Sequence, residues 1–128
     1  LLALQYDERL AASHADFIQC LCAPDKLNPI ELAEKLHKLD LPSVTGWLQK
    51  WCYDLMSCRT SGRVRYHLKQ VAVIRQQAAV IDPVAFGFLW RNLIASQQLA
   101  RHPLNPRLFL EAMLLTYMDS IRPAGSAG

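Results

Sequence analysis

The sequence lacks the short patterns that mark the common enzyme sites. It contains 5 glycines in 128 residues and no glycine-rich phosphate-binding loop. HExxH, GxSxG and CxxC patterns are also missing. No apolar run reaches the roughly 18–20 residues that a membrane-spanning helix requires. The sequence therefore argues against a P-loop NTPase, an HExxH metalloprotease, a GxSxG serine hydrolase and a protein with a membrane-spanning helix.

Net charge is small, and the sequence shows no targeting segment. The chain has 14 lysines and arginines against 11 aspartates and glutamates, a formal net charge of +3. This mildly basic balance does not by itself indicate nucleic-acid binding. The first residues, LLALQYDERL, lack the basic region of a secretory signal. Because the chain does not begin with Met, we expect it to start inside a longer protein.

The residues that could bind a metal or carry out catalysis are scattered. Cys20, Cys22, Cys52 and Cys58 are spaced C-x-C and C-x5-C within helical patterns, which favours buried free thiols in a reducing cytosol over a zinc site. The four histidines stand far apart, and His14, on an apolar stripe, is typical of a core histidine. Most of the carboxylates, a set that includes Asp54, are interpreted as helix caps and solvated helix faces. We therefore predict no catalytic residue, no metal and no cofactor.

Helical periodicity runs through most of the chain, and strand-like alternation is absent. Prolines and small polar residues predict six helices, over residues 4–22, from Pro29, from Ser43, over residues 68–81, from Pro83 and from Pro106. Asn28, Asp82 and Asn105 precede three of these prolines, as N-caps do. The predicted fold class is all-α, a compact antiparallel bundle of about five to six helices.

Apolar stripes identify the faces that should pack into the core. The third helix carries Val44, Trp47, Leu48, Trp51, Leu55 and Cys58, and the fifth carries Phe86, Leu89, Trp90, Leu93 and Ile94. The last helix carries Leu110, Met113, Leu114, Tyr117 and Ile121, with Leu108, Ala112 and Leu115 on a second side. So broad a stripe fits either a central helix covered by others or a helix that meets another subunit, with Phe109 as the candidate contact.

The segment SGRVRYHLK, residues 61–69, is the one surface feature that suggests a function. Arg63, Arg65 and Lys69 flank Tyr66, and basic residues interleaved with an aromatic residue can bind nucleic acid. A protein interface and a plain solvated loop with a tyrosine anchor are open alternatives at this point.

Two stretches resemble the C-terminal domain of the δ′ subunit of bacterial DNA polymerase III. In LPSVTGWLQKWCYDLMSCRTSGRVRYH, residues 41–67, a WLQ-x-W-x-YDL helix precedes a GRVRYH loop. The second stretch, HPLNPRLFLEAMLLTYMDSI, residues 102–121, opens the last helix with NPRLFLE. LNPIELAEKL fits the pattern more loosely, so the resemblance extends over residues 27–121.

The resemblance implies a role in the clamp loader. In that family δ′ joins the δ and γ/τ subunits, and the assembly uses ATP to open the β sliding clamp and place it on primed DNA. Helical C-terminal domains of the subunits form a collar that holds the assembly together. The fragment would then be a non-catalytic, cytoplasmic part of the DNA polymerase III holoenzyme. Its partners would be γ/τ and δ, with indirect contact to DNA and no small-molecule substrate.

The resemblance also implies a division of the chain. Residues 1–24 would form a helix leading in from an upstream ATPase-type domain, and residues 25–122 the collar domain. The small, polar, Pro/Gly-rich composition separately predicts a disordered tail over residues 123–128. The family's zinc-binding segment accompanies the ATPase-type domain, so the cysteines here are not taken as its ligands. The leading hypothesis is a subunit-assembly domain. The alternative is a small helical nucleic-acid-binding domain that uses Arg63, Arg65, Tyr66 and Lys69.

Overall fold

The computed structural model describes residues 2–121, with side chains from residue 5 onward. Within that range the α-helices are α1 (Leu2–Cys22), α2 (Pro29–Leu36), α3 (Leu41–Ser61), α4 (Val71–Val80), α5 (Pro83–Leu99) and α6 (Pro106–Ser120). Single 3-10 turns at Pro24–Lys26 and Leu68–Gln70 lie between them, and residues 2–121 contain no β-strand. The all-α prediction is confirmed. The tail predicted for residues 123–128 lies outside the described residues.

Three predicted N-caps are confirmed by hydrogen bonds. The side-chain oxygen of Asn28 accepts from the backbone N–H groups of residues 30 and 31. Asp82 accepts from the N–H of residue 84, and Asn105 accepts from that of residue 108. Each cap satisfies a backbone donor that the first turn of a helix leaves unpaired.

Two helix starts differ from the prediction. Helix α3 begins at Leu41, not Ser43, because the carboxylate of Asp40 is the cap and accepts hydrogen bonds from both the backbone N–H and the hydroxyl of Ser43. A proline at the second helical position is compatible with this start, since no intrahelical bond needs its missing N–H. Residues 68–70 form a 3-10 turn, so that α4 begins only at Val71.

One hydrophobic core receives side chains from every helix. Helix α2 packs most extensively on α6, α3 packs on α4 and α5, and α5 packs on α6. The largest fully buried side chains are Trp51, Tyr117, Phe17, Phe86, Leu21, Leu48, Leu55, Ile74, Leu89, Leu93, Leu110 and Leu114. Because Phe17 and Leu21 belong to this core, the second half of α1 is integral to the bundle.

The predicted stripe of α5 is too wide. Phe86, Leu89 and Leu93 are buried, whereas Ile94 is exposed. Successive helical residues lie about 100° apart around the axis, which places Ile94 beyond the half-buried Trp90, past the edge of the core-facing side.

Helix α6 buries one of its two predicted apolar sides. Leu110, Met113, Leu114 and Tyr117 are buried, as predicted. The second side, Leu108, Ala112 and Leu115, is exposed. The interpretation of α6 as a central helix covered all round is therefore wrong, since its neighbours cover only the first side. None of the described helices has the length and apolar character needed to cross a membrane.

Candidate interaction surfaces

A buried carboxylate fixes the loop between α3 and α4. Asp54 is fully buried on α3, and its oxygens accept hydrogen bonds from the backbone N–H groups of Arg65 at 2.8 Å, Tyr66 at 3.1 Å and His67 at 2.8 Å. Its Oδ2 also lies 2.8 Å from Nδ1 of His67. Asp54 is therefore an exception to the interpretation of most carboxylates as caps and solvated residues, because the loop donors replace the water that a carboxylate would otherwise need.

A glycine in the left-handed backbone conformation turns the chain back toward Asp54 after the end of α3. Helix α3 ends at Ser61, and Gly62, with φ of 75°, turns the chain so that the following residues return to the side of α3 that carries Asp54. A residue with a Cβ atom is strained at this φ, which accounts for glycine at the position. The YDL and GRVRYH motifs are thus two halves of one hydrogen-bonded unit.

The same unit extends into the centre of the bundle. The ring of His67 meets Trp51 edge-on, with ring centroids 5.3 Å apart. The indole N–H of Trp51 donates a hydrogen bond to the hydroxyl of Tyr117 on α6 at 3.0 Å. Burial raises the pKa of Tyr117 well above its ordinary value. Among the described residues no hydroxyl or thiol is hydrogen-bonded to His67, whose Nδ1 is paired with the buried carboxylate of Asp54.

Four side chains in and beside the loop are exposed, whereas the backbone of the loop and the ring of His67 are held inward. Arg63, Arg65, Tyr66 and Lys69 are all exposed. The ring of Tyr66 meets Tyr53 edge-on at 5.6 Å, and the charged groups of Arg65 and Lys50 lie over the ring, 5.2 and 5.5 Å from its centroid. We call the group Lys50, Tyr53, Arg63, Arg65, Tyr66 and Lys69 the loop surface.

Sequence reasoning missed Lys50 and Tyr53 as members of the loop surface. Both lie on α3, and with Asp54 they follow the i, i+3, i+4 spacing that brings side chains to one face of a helix. That spacing was a usable signal. What it could not provide was the return of the loop onto the same face, which depends on Gly62 and on Asp54.

A second candidate surface is apolar and lies on α5 and α6. Val84 and Phe88, one turn apart on α5, are exposed by 67% and 66%, and with Pro83, Gly87 and Arg91 they line a shallow depression. Leu108 and Leu115 are exposed on α6. We call the group Val84, Phe88, Leu99, Leu108 and Leu115 the apolar surface. Where such side chains form one contiguous patch, they are typical of interaction sites, whereas single exposed apolar residues are normal.

Phe109 contributes to the core more than the prediction assumed. Its side chain is half-buried and packs against the core cluster. It belongs to α6, which packs chiefly on α2 and α5, and it is not part of the loop surface. Its neighbour Leu108 is much more exposed and is the better candidate for a contact with another chain.

His14 and the four cysteines are the remaining residues whose chemistry could suggest a site. His14 stacks on Trp47 with ring centroids 4.8 Å apart, and burial, followed by the nearby charges of His67 and Lys50, lowers its pKa. All four cysteines are free, but only Cys52 is fully buried, while Cys20, Cys22 and Cys58 are half-buried. Within the described part of the chain no group of His, Cys, Asp or Glu could hold a metal ion.

Comparison with protein-family models gives a match that covers most of the chain. Residues 9–118 match the family model described as DNA polymerase III, delta subunit, C terminal. The chain belongs to this family. The match runs from the second turn of α1 into the last turn of α6, so it includes the Asp54 unit, the loop surface and the apolar surface. No curated protein and no solved structure gave a significant match.

Membership of this family gives the chain a general role. It is a domain of a clamp loader, its role is the assembly of that complex, and its partners are other clamp-loader subunits.

Proposed function

We propose that the chain is the collar domain of a δ′-type subunit, and that it holds δ′ in the clamp loader beside the γ/τ and δ subunits. In this role it supports the ATP-dependent loading of the β sliding clamp on primed DNA in the cytoplasm, without catalysing a reaction itself. The observation that carries the assembly role is the exposed second side of α6, since Leu108 and Leu115 extend an apolar helix face that the bundle leaves uncovered.

The physical argument is the free energy of burial. Covering an exposed leucine or phenylalanine contributes about 1.5–3 kcal/mol, so the members of the apolar surface favour association once a partner covers them. The surface lies on two helices, α5 and α6, which pack on each other. Partners with similar helical domains offer matching ridges and grooves, and a ring-like collar lets each domain use two different faces.

The δ′ assignment is supported by the way in which two sequence motifs depend on each other. The YDL helix supplies Asp54, and the GRVRYH loop supplies the N–H groups that Asp54 binds. Without the loop, the buried carboxylate would lack donors, and without the carboxylate, the loop N–H groups would lack their acceptor. In the parent protein, δ′ predicts an upstream ATPase-type domain without a functional P-loop, and an intact P-loop there would contradict the δ′ assignment.

Association can be tested by gel filtration of the chain mixed with the other clamp-loader subunits. The wild-type chain should elute with them, and Phe88→Asp combined with Leu108→Asp should elute alone while remaining folded by circular dichroism. Leu68→Asp is the matched control, because Leu68 is exposed by 68%, as much as Phe88, but lies in the turn before α4. Co-elution of the double variant, or loss of co-elution in the control, would overturn the apolar surface as the assembly site.

A further inference from the structure

Helix α5 carries apolar side chains on two different sides. Its core-facing side buries Phe86, Leu89 and Leu93, at the i, i+3, i+7 spacing of one helix face. A second line is exposed to solvent, and we call it the α5 seam: Val84, Phe88, Ala95 and Leu99. Because successive helical residues lie about 100° apart, these four side chains fall within a sector of roughly 60°. A stripe that faces a core is wider than about 100°, so the α5 seam has the width that a single partner helix covers.

The depression on α5 has the form of a hole that receives one side chain of a packed helix. In knobs-into-holes packing, each inserted side chain enters a hole formed by four residues of the facing helix. Val84, Gly87, Phe88 and Arg91, at i, i+3, i+4 and i+7, line the depression together with Pro83. A Cβ atom on Gly87 would meet no atom of another part of the described chain within 4 Å. The floor of the hole is therefore open to an apolar side chain from a helix laid along the α5 seam.

Arg91 is the only charged residue of α5, since residues 83–99 contain no other lysine or arginine and no aspartate or glutamate. Its side chain is exposed midway along the length of the α5 seam, and no ion pair of the described residues involves it. A helix that covers the α5 seam removes part of the water around the guanidinium group, which costs free energy unless an acceptor replaces that water. A carboxylate is the acceptor that arginine binds through two parallel hydrogen bonds. We therefore expect the covering helix to be acidic at this point.

A second copy of the chain is a poor occupant of the α5 seam. Arg91 lies at the middle of the seam, which begins at residue 84 and ends at residue 99. Two copies of α5 laid fully along each other would bring their Arg91 side chains together, whether the helices ran parallel or antiparallel. Like charges held close in an interface disfavour association. The arginine therefore favours a different chain and opposes self-association through the same apolar line.

We propose that the α5 seam binds one amphipathic helix of another clamp-loader subunit, with an apolar side chain in the hole at Gly87 and a carboxylate opposite Arg91. This inference rests on the proposed function, which assigns the exposed side of α5 to assembly, and it adds the form and the charge of the partner. The apolar contacts supply affinity, while the pairing of Arg91 sets the register and the choice of partner.

Chemical cross-linking of the Arg91→Lys variant tests directly for the carboxylate. A water-soluble carbodiimide joins an amine to an aspartate or glutamate side chain in contact with it, and mass spectrometry maps the joined residues. In a mixture with the other clamp-loader subunits, position 91 should be joined to an acidic residue of another subunit, in a segment whose apolar residues recur every three and four positions. Arg75→Lys, at an exposed position on α4, is the matched control and should not be joined to that segment. No product at position 91, or a product only within the chain itself, would overturn the proposal.

Charge reversal and self-association give two further measurements. Arg91→Glu should weaken association with the subunits at least about tenfold, whereas Arg75→Glu, which changes the formal charge equally, should stay within about twofold of wild type. Arg91→Leu removes the like charges, so the isolated 128-residue chain should self-associate at least about tenfold more strongly than wild type in sedimentation equilibrium. Equal losses in the two Glu variants, or unchanged self-association of Arg91→Leu, would overturn the proposal.

Gly87→Gln separates the hole from the stability of the fold. Gly87 does not have a positive φ and its Cβ position is open, so the variant should melt at a higher temperature than wild type, because glutamine is the better helix former. The new side chain occupies the hole, and association should nevertheless be at least about fivefold weaker. Unchanged association would overturn the proposal.

The variants distinguish this inference from the proposed function. If Arg91→Glu and Gly87→Gln associate normally while Phe88→Asp with Leu108→Asp does not, the single-helix inference fails and the apolar surface stands as the assembly site. Normal association of all these variants would contradict both.

Discussion

Oδ2 of Asp54 lies 2.8 Å from both the backbone nitrogen and the Nδ1 atom of His67, a residue thirteen positions later in the chain. The single carboxylate therefore sets both the path of the loop and the orientation of the imidazole ring. Because that ring lies edge-on against Trp51, the outer loop and the centre of the bundle share one polar unit.

Removing the carboxylate should destabilise the domain strongly. In Asp54→Ala the loop N–H groups and the imidazole lose their acceptor in a buried position, and we expect a loss of about 3–5 kcal/mol in the free energy of unfolding. Urea denaturation measures this. Asp25→Ala, in an exposed turn, is the control and should stay within about 0.5 kcal/mol of wild type. A cost for Asp54→Ala as small as that of the control would show that the unit contributes little.

The hydrogen bond between Trp51 and Tyr117 should contribute measurably to the free energy of unfolding. Tyr117→Phe leaves the indole N–H without its partner inside the core, at a cost of about 1–3 kcal/mol in unfolding free energy. Tyr6→Phe makes the same chemical change at an exposed tyrosine whose hydroxyl accepts the N–H of Asp40. Since water can replace that hydroxyl, the Tyr6 variant should unfold at nearly the wild-type urea concentration. Equal losses of unfolding free energy in the two variants would show that the buried hydrogen bond of Tyr117 contributes no more than the exposed one of Tyr6.

The two sides of α6 should respond differently to a charge. Leu114→Asp places a carboxylate in the fully buried part of the core, where it has no partner, and should leave the chain unfolded by circular dichroism. Leu108→Asp makes the same change on the exposed side and should preserve the helical spectrum and the cooperative melt. Unfolding of both variants would mean that Leu108 is needed by the core.

His14 should make folding sensitive to mild acid. Its pKa in the folded chain is below the ordinary value of 6.5, chiefly because of burial, so that the unfolded chain binds the proton first as the pH falls. Stability should therefore be lost as the pH drops through about 6.5 toward the lowered pKa of the folded state. The wild type should lose more unfolding free energy between about pH 7.5 and 5.5 than His14→Gln does. Parallel losses in the two proteins, or an NMR titration of His14 at or above 6.5, would exclude this linkage.

Local signals allowed much of the fold to be predicted from sequence. The caps Asn28, Asp82 and Asn105 act on backbone groups two or three residues away, so the information is contained in a short window. The cap at Asp40 was not predicted, because Ser43 is also a residue type that commonly begins a helix. The buried side of α6 was also predictable, since its spacing follows the helical repeat.

The candidate surfaces depended on information that lies far apart in the sequence. Asp54 looks like one more helix carboxylate until the loop, eleven to thirteen residues later, folds back onto it. Lys50 and Tyr53 join the loop surface for the same reason. Whether the second side of α6 is covered or exposed is likewise a property of its neighbours, and the periodicity of α6 is the same in both cases.

The packing of α2 on α6 has a consequence for how the protein is made. Leu32 and Leu36 of α2 are buried in a core that also contains α6, although some seventy residues separate the two helices. During synthesis α2 emerges from the ribosome well before α6, and the bundle cannot close until α6 has followed. Chains cut short before Pro106 would therefore expose the apolar face of α2 and become substrates for chaperones and proteases instead of folded domains.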